Sequence, residues 1–147
     1  MKKILFVCHG NICRSPMAEF VLRELVRARG VAHLYQIESA ATSAEEIGNP
    51  VHPGTRKILA RLGISAKDKR ARRIVPADYA DFDILIGMDS RNLQNMRRAF
   101  GGDPAGKIRP MLAERDVADP WYTGDFEQTY RDVLRGCEAL LDAQIPR

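Results

Sequence analysis

Lys3-Ile4-Leu5-Phe6-Val7-Cys8-His9-Gly10-Asn11-Ile12-Cys13-Arg14-Ser15-Pro16 stands at the very start of the chain. Residues 3–8 are a continuous apolar run, the pattern of a strand buried on both faces of a parallel sheet. A short loop follows, and then Ser15 suits a helix N-cap with Pro16 at the first helical position, where a missing N–H costs nothing. Ala18, Val21, Leu22, Leu25 and Val26 recur on one face of the helix, which Gly30 ends. A loop wound between a strand and a helix turns successive backbone N–H groups inward as an anion nest, reinforced by the helix dipole. Gly10 permits a positive φ there, and Asn11 is one of the few other residues that tolerate one.

The rest of the chain repeats the alternation. Strands are expected at 35–39, 82–88 and 107–112. Helices are expected at 55–62, stopped by Gly63, and around Leu93, Met96 and Phe100. The last helix carries Phe126, Tyr130, Val133, Leu134, Cys137, Leu140 and Leu141 at steps of three and four, a single buried stripe. Alternating strands and helices imply right-handed βαβ units. The expected fold is therefore one α/β domain over residues 1–147, a four-stranded parallel sheet with helices on both faces and an anion-binding loop after the first strand. Ligands of such folds sit beyond the carboxyl ends of the strands, where Cys8 falls. Two connectors, 40–53 and 114–124, are long enough to suggest function.

The composition is that of a water-soluble globular protein, with 45% hydrophobic and 29% charged residues. A net charge of +4 fits an anionic ligand or acidic partner and gives little support for nucleic acid. The apolar start is too short for a secretion signal, and no run is long enough to span a membrane. Three cysteines, an odd number without disulfide spacing, point to a reducing compartment, the cytoplasm. Cys8, His9 and Cys13 lack a second ligand pair at zinc spacing, so neither metal nor other cofactor is expected.

Cys8 and Arg14, six positions apart across the loop, bring a nucleophile and a phosphate clamp to the nest. Arg14 can grip two phosphate oxygens with its planar fork. A thiol of pKa roughly 8.5 is only about 3% ionised at neutral pH. The helix N-terminus, Arg14 and the Ser15 hydroxyl together are expected to favour the thiolate, a differential of roughly 4 kcal/mol for a three-unit change. Expelling a phenolate of pKa about 10 calls for an acid, and Asp119, held extended by Pro120, fits that role, although Asp-Pro standing alone reads equally as a common turn starter. Trp121 and Tyr122 beside it can wall a slot for an aromatic ring. The basic run Lys67, Lys69, Arg70, Arg72 and Arg73 reads as a solvated face, or as an attractor of acidic phosphoprotein segments. Cys137 reads as core, His33 as surface, and His52 as a residue that stabilises its loop.

Residues 7–19, with Glu38-Ser39-Ala40, Gly48-Asn49-Pro50-Val51-His52-Pro53, Met88-Asp89 and Ala118-Asp119-Pro120-Trp121-Tyr122, resemble the low-molecular-weight protein tyrosine phosphatases. The resemblance runs through nearly the whole chain. It implies two steps through a phosphocysteine at Cys8, with phosphotyrosine in proteins as substrate. His9, Gly10, Asn11, Ile12, Cys13, Arg14 and Ser15 would hold the phosphoryl group, Ser15 would favour the thiolate, and Asn11 and Ser39 would keep the loop's shape. Asp119 would protonate the leaving phenol and later activate water. Ala41, Lys69 and Glu45 depart from the family's frequent glycine, histidine and aromatic residue, and the last bears on substrate preference. Three alternatives stand beside this reading, one of them a catalytically silent phosphate-binding module, against which the intact set of Cys8, Arg14 and Asp119 argues; the other two share the loop. A thioredoxin-coupled arsenate reductase needs relay cysteines that the middle of this chain lacks. A protein-arginine phosphatase carries threonine at the position of Ile12. Cys13 is a candidate redox partner that could trap oxidised Cys8 as a disulfide.

Overall fold

The structure, a computed structural model, describes residues 1–144; the last three residues of the expected domain, 145–147, lie outside the described residues. The first strand, β1 (Lys2–Cys8), lies at the centre of the sheet because it has no polar face to give to water. Its two neighbours are β2 (Tyr35–Ala41) and β3 (Ile84–Gly87), and β4 (Ile108–Pro110) completes the order β2-β1-β3-β4. All three pairings are parallel, with Cys8 opposite Ala41 and Val7 opposite both Ala40 and Gly87.

Alternate residues of β1 feed two cores. Ile4, Phe6 and Cys8 pack with α1 (Arg14–Ala28), α2 (Pro53–Arg61) and α6 (Phe126–Gln144) on one face. Leu5 and Val7 pack on the other face with Phe82 and Met96, around α3 (Ala77–Asp81) and α4 (Ser90–Phe100). Both faces are thus covered, as the continuous apolar run requires. Among the described residues no helix is long and apolar enough to cross a membrane.

Several boundaries differ from the sequence reading. β2 runs two residues further, to Ala41, because Ala41 also pairs with Arg73 from a segment crossing the sheet end. Helix α1 begins at Arg14 with Cys13 in the cap position, so Ser15 is inside the helix and not its N-cap. Its hydroxyl is turned to the cysteine instead. Helix α2 begins at Pro53, capped by His52 Nδ1, which accepts from the Gly54 N–H at 3.0 Å. Two short helices are added: α3, in a stretch the sequence pattern leaves unassigned, and α5 (Pro120–Thr123), inside the long 114–124 connector.

The chain leaves β1 toward β2 on one side and returns for β3 on the other. This reversal opens a crevice at the carboxyl ends of β1 and β3. Cys8, Asp89 and the loop after β4 all meet there.

Candidate active site

The loop between β1 and α1 is shaped by where its carbonyls go. Those of Cys8 and His9 accept from the N–H groups of Thr42 and Ser43, at 2.9 and 3.0 Å. Those of Ile12 and Cys13 accept from the His52 N–H at 2.8 Å and the Thr55 hydroxyl at 3.0 Å. With its carbonyls drawn outward, the loop keeps its amides for something else. None at residues 10–13 donates to a protein acceptor among the described residues. Such an array of unspent donors at a helix N-terminus is an anion site.

Asn11 takes the strained position, with φ 59°, the one positive φ outside glycine among the described residues. Gly10 does not, which corrects the expectation from sequence. A Cβ there would stand 3.2 Å from Glu46 Cγ, a close approach that this side chain would have to yield by a few tenths of an ångström to accommodate.

The Asn11 amide is held in one orientation by the Arg72 N–H, which donates to its Oδ1 at 3.2 Å. Its Nδ2 donates to Ser15 Oγ at 2.8 Å and to Ser39 Oγ at 2.9 Å. Ser39 Oγ lies 2.5 Å from Glu19 Oε1. Glu19 is buried, with Arg23 at 2.6 Å and Lys69 at 3.4 Å, and a carboxylate facing two cations only accepts. Ser39 must therefore donate to Glu19 and accept from Asn11. Ser15 also accepts from Asn11, which leaves its own proton for Cys8 Sγ at 3.0 Å; its other acceptor, the Ala40 carbonyl, is at 3.5 Å. The bonds thus fork at the Asn11 amide, one branch ending on Glu19 and the other on the sulfur.

Lys69 also donates to the Ser39 carbonyl at 2.8 Å, and burial lowers its pKa from the ordinary lysine value while Glu19 resists. Arg72 pairs with Asp78, and Arg73 Nε donates to the Thr42 carbonyl at 3.1 Å. The basic run is thus a strap behind the loop as much as a solvated face.

Arg14 is almost fully buried, and its nitrogens are unequally engaged. Nη1 donates to Asp89 Oδ2 at 2.7 Å and to the Val117 carbonyl at 2.9 Å. Nη2 reaches Asp119 Oδ2 only at 3.4 Å, and Nε has no partner among the described residues. Burial works against the cation, but Cys8, Asp89 and Asp119 outweigh it and hold the Arg14 pKa above the ordinary arginine value. One edge of the guanidinium is anchored, and the other is left for an oxyanion.

Asp119 caps α5, its Oδ1 accepting from the Trp121 N–H at 3.0 Å while Oδ2 faces Arg14. Its loop is moored at several points. The Val117 N–H donates to the Met88 carbonyl at 2.8 Å, and Ser90 donates to Asp116. Arg115 makes a two-pronged pair with the buried Asp132 of α6 at 2.8 and 2.7 Å.

One cleft is lined by Cys8, Ile12, Arg14, Asp119, Trp121 and Tyr122, together with His9, Gly10, Cys13 and Glu46. The structure therefore brings together Cys8, Arg14, Asp119 and both slot aromatics. Asn11 and Ser15 stand behind the wall, not on it. Trp121 and Tyr122 are 58% and 84% exposed, free to meet a ring. Cys13 shares the loop with Cys8; burial, then the charges of Cys8 and Asp119, push its pKa up to about 12. His33 is exposed, Cys137 is fully buried, and His52 stacks on Phe126 at 5.0 Å.

Sequence reasoning missed Glu46 on the rim and Glu19 behind the loop, and gave Asp89 no role. The partners of Asp89 and Glu19 lie 75 and 20 positions away, beyond any local pattern.

The family described as low molecular weight phosphotyrosine protein phosphatase matches residues 3–147. The chain is 42% identical to the low molecular weight protein-tyrosine-phosphatase YfkJ of Bacillus subtilis, over 96% of this chain and 94% of that protein. It is 38% identical to the human low molecular weight phosphotyrosine protein phosphatase, again over 96% and 94%. The crystal structure of the low molecular weight protein tyrosine phosphatase of Streptococcus pyogenes superposes with a TM-score of 0.92 at 43% identity, covering 100% of this chain and 95% of that one. With its whole length matched in sequence and in fold, the chain belongs to the low molecular weight phosphotyrosine protein phosphatase family.

Proposed function

We propose that the protein hydrolyses phosphotyrosine in cytoplasmic phosphoproteins, with Cys8 as nucleophile, Arg14 as phosphate clamp and Asp119 as acid and then base. The observation that carries the reading is the convergence of these three side chains on one cleft, with the unengaged edge of Arg14 and Asp119 Oδ2 facing each other. The phosphoryl oxygens take the amides of residues 10–13 and the Arg14 Nε–Nη2 edge, a bidentate grip. The Cys8 thiolate attacks phosphorus, forming the S–P bond while the P–O bond to tyrosine breaks. Asp119 gives its proton to the departing phenolate. In the second step the Asp119 carboxylate takes a proton from water. The water oxygen bonds to phosphorus, and the S–P bond breaks to return thiolate and inorganic phosphate.

Trp121, Tyr122 and Ile12 supply apolar surface suited to a phenyl ring, which favours tyrosine over a guanidinium as the leaving group. An arsenate reductase needs relay thiols to carry a disulfide away from the loop; the middle of the chain has none, and Cys137 lies wholly inside the core, its pKa raised by burial. All three cysteines are free, consistent with a reducing compartment.

The test sets the purified protein against phosphotyrosine, phosphoarginine and arsenate side by side, together with Cys8→Ser. Turnover of phosphotyrosine that vanishes in Cys8→Ser while inorganic phosphate still binds is the expected result. Preference for either of the other substrates, or substantial activity in Cys8→Ser, overturns the assignment.

A further inference from the structure

Beside the catalytic cleft, and sharing His9 with it, lies a second, wider groove that the mechanism does not use. The loop after β2, the 73–76 segment and helix α4 form its walls. Its charged lining is Glu45, Arg73 and Arg98, with the His9 imidazole beside them. His9 Nε2 sits 3.1 Å from Glu45 Oε2, so the one carboxylate of the groove already has a neighbour.

The two arginines are differently placed. Arg73 spends only Nε, on the Thr42 carbonyl, and neither of its terminal amino groups donates to a protein acceptor among the described residues. Arg98 makes a single long bond, 3.5 Å, to Asn95 Oδ1. Neither is paired with a carboxylate among the described residues. Two guanidinium groups without a carboxylate partner, set in one groove, mark a place for an oxyanion. Val75, half exposed, adds an apolar patch to the same groove.

We propose that this groove binds an acidic side chain, Asp or Glu, flanking the phosphotyrosine of the substrate, so that the enzyme selects phosphotyrosines set in acidic segments. The inference rests on the function proposed above and names its substrate class more narrowly. The geometry gives the reason for adjacency. An extended peptide advances about 3.3–3.6 Å per residue, so a side chain a few residues from a phosphotyrosine seated over Cys8 passes His9 into the groove. Glu45, at the shared rim, repels misplaced acids while the arginines beyond it attract them.

The test compares three tyrosine-phosphorylated peptides of one length. One has neutral glutamines throughout, one has glutamates two and three residues before the phosphotyrosine, and one has them after it. The readout is the ratio of kcat/KM for acidic over neutral peptide within each enzyme. The wild type is expected to favour one acidic peptide by about fivefold, mainly through KM, the size of one or two solvent-exposed ion pairs. The Arg73→Gln/Arg98→Gln double variant brings that ratio close to one. Arg98→Glu, altered only on the exposed face of α4, inverts it, which keeps the test decisive if the double variant misfolds. Equal turnover of all three peptides by the wild type overturns the groove and leaves the phosphatase reading standing. A preference that survives in Arg98→Glu overturns it too. If no phosphotyrosine peptide is hydrolysed while another phosphomonoester is, both proposals fall together.

Discussion

Asp119 accepts from the Trp121 N–H with one oxygen and presents the other to the cleft, so the value of its proposed role as acid depends on the leaving group. A tyrosine phenolate, pKa about 10, leaves poorly without a proton, and general acids contribute roughly 10²–10⁴-fold. Asp119→Ala is expected to slow single-turnover cleavage of phosphotyrosine by that order and an activated nitrophenyl phosphate far less. Equal slowing of both would make Asp119 a loop residue only. Cys13 poses the opposite problem, a thiol that its surroundings keep protonated, with a pKa of about 12. Peroxide converts the Cys8 thiolate to a sulfenic acid. The Cys13 thiolate can then attack that sulfur, forming the S–S bond as hydroxide departs and takes up a proton as water. Burial, the larger cause, persists once Cys8 is oxidised, so closure speeds up as pH rises and is slow in acid. Peroxide inactivation is expected to be reversed by thiol in the parent. In Cys13→Ser it should become progressively irreversible as Cys8 oxidises further; unchanged reversibility in that variant removes Cys13 from the scheme.

At the scale of elements, the site depends on how closely α6 approaches the loop after β4. Gly136 lies in the middle of α6, and a Cβ there would stand 2.9 Å from the Met111 carbonyl oxygen and 2.5 Å from its Cε. Two effects of Gly136→Ala oppose each other. The helix gains about 1 kcal/mol in propensity, but overpacking against a fixed backbone oxygen costs typically 1–3 kcal/mol. The clash is expected to prevail, so Gly136→Ala should lower the midpoint of urea unfolding without changing its slope. A raised midpoint would show that α6 can retreat freely. Long elements such as α6 and β1 were legible because their apolar spacing repeats over enough residues to define a face. Helices α3 and α5 were not, because five and four residues carry no period. Asp89 escaped for a different reason. It looks like a helix cap, which it is, with Oδ1 on the Asn92 N–H at 2.7 Å. Only the fold shows that Oδ2 is already committed to Arg14.

Across the whole molecule, the proposed catalytic set and its anchor Asp89 come from three connections at one end of the sheet: after β1, after β3 and after β4. The first was written in contiguous residues and could be read directly. The other two were tied to it only by resemblance: Asp119-Pro120 could be offered as an acid on chemical grounds, but nothing local links it to a cysteine over a hundred positions earlier. The strap from Lys69 to Arg73 was read as surface because charge was all the sequence displayed, while its hydrogen-bonding partners lie on β2 and in the loop behind it. That strap, and Arg23 with it, has a consequence for how the molecule meets its own copies. β2 is an edge strand, and an edge strand's free carbonyls are a template on which another chain can add a strand and begin a fibre. On β2 the Ile37 carbonyl is taken by Arg23 and the Ser39 carbonyl by Lys69, while Arg72 and Ile74 close the Ala41 end. The opposite edge, β4, is three residues long and finishes on a proline with no N–H to offer. The cations that hold the phosphate loop from behind thus also close the sheet against aggregation.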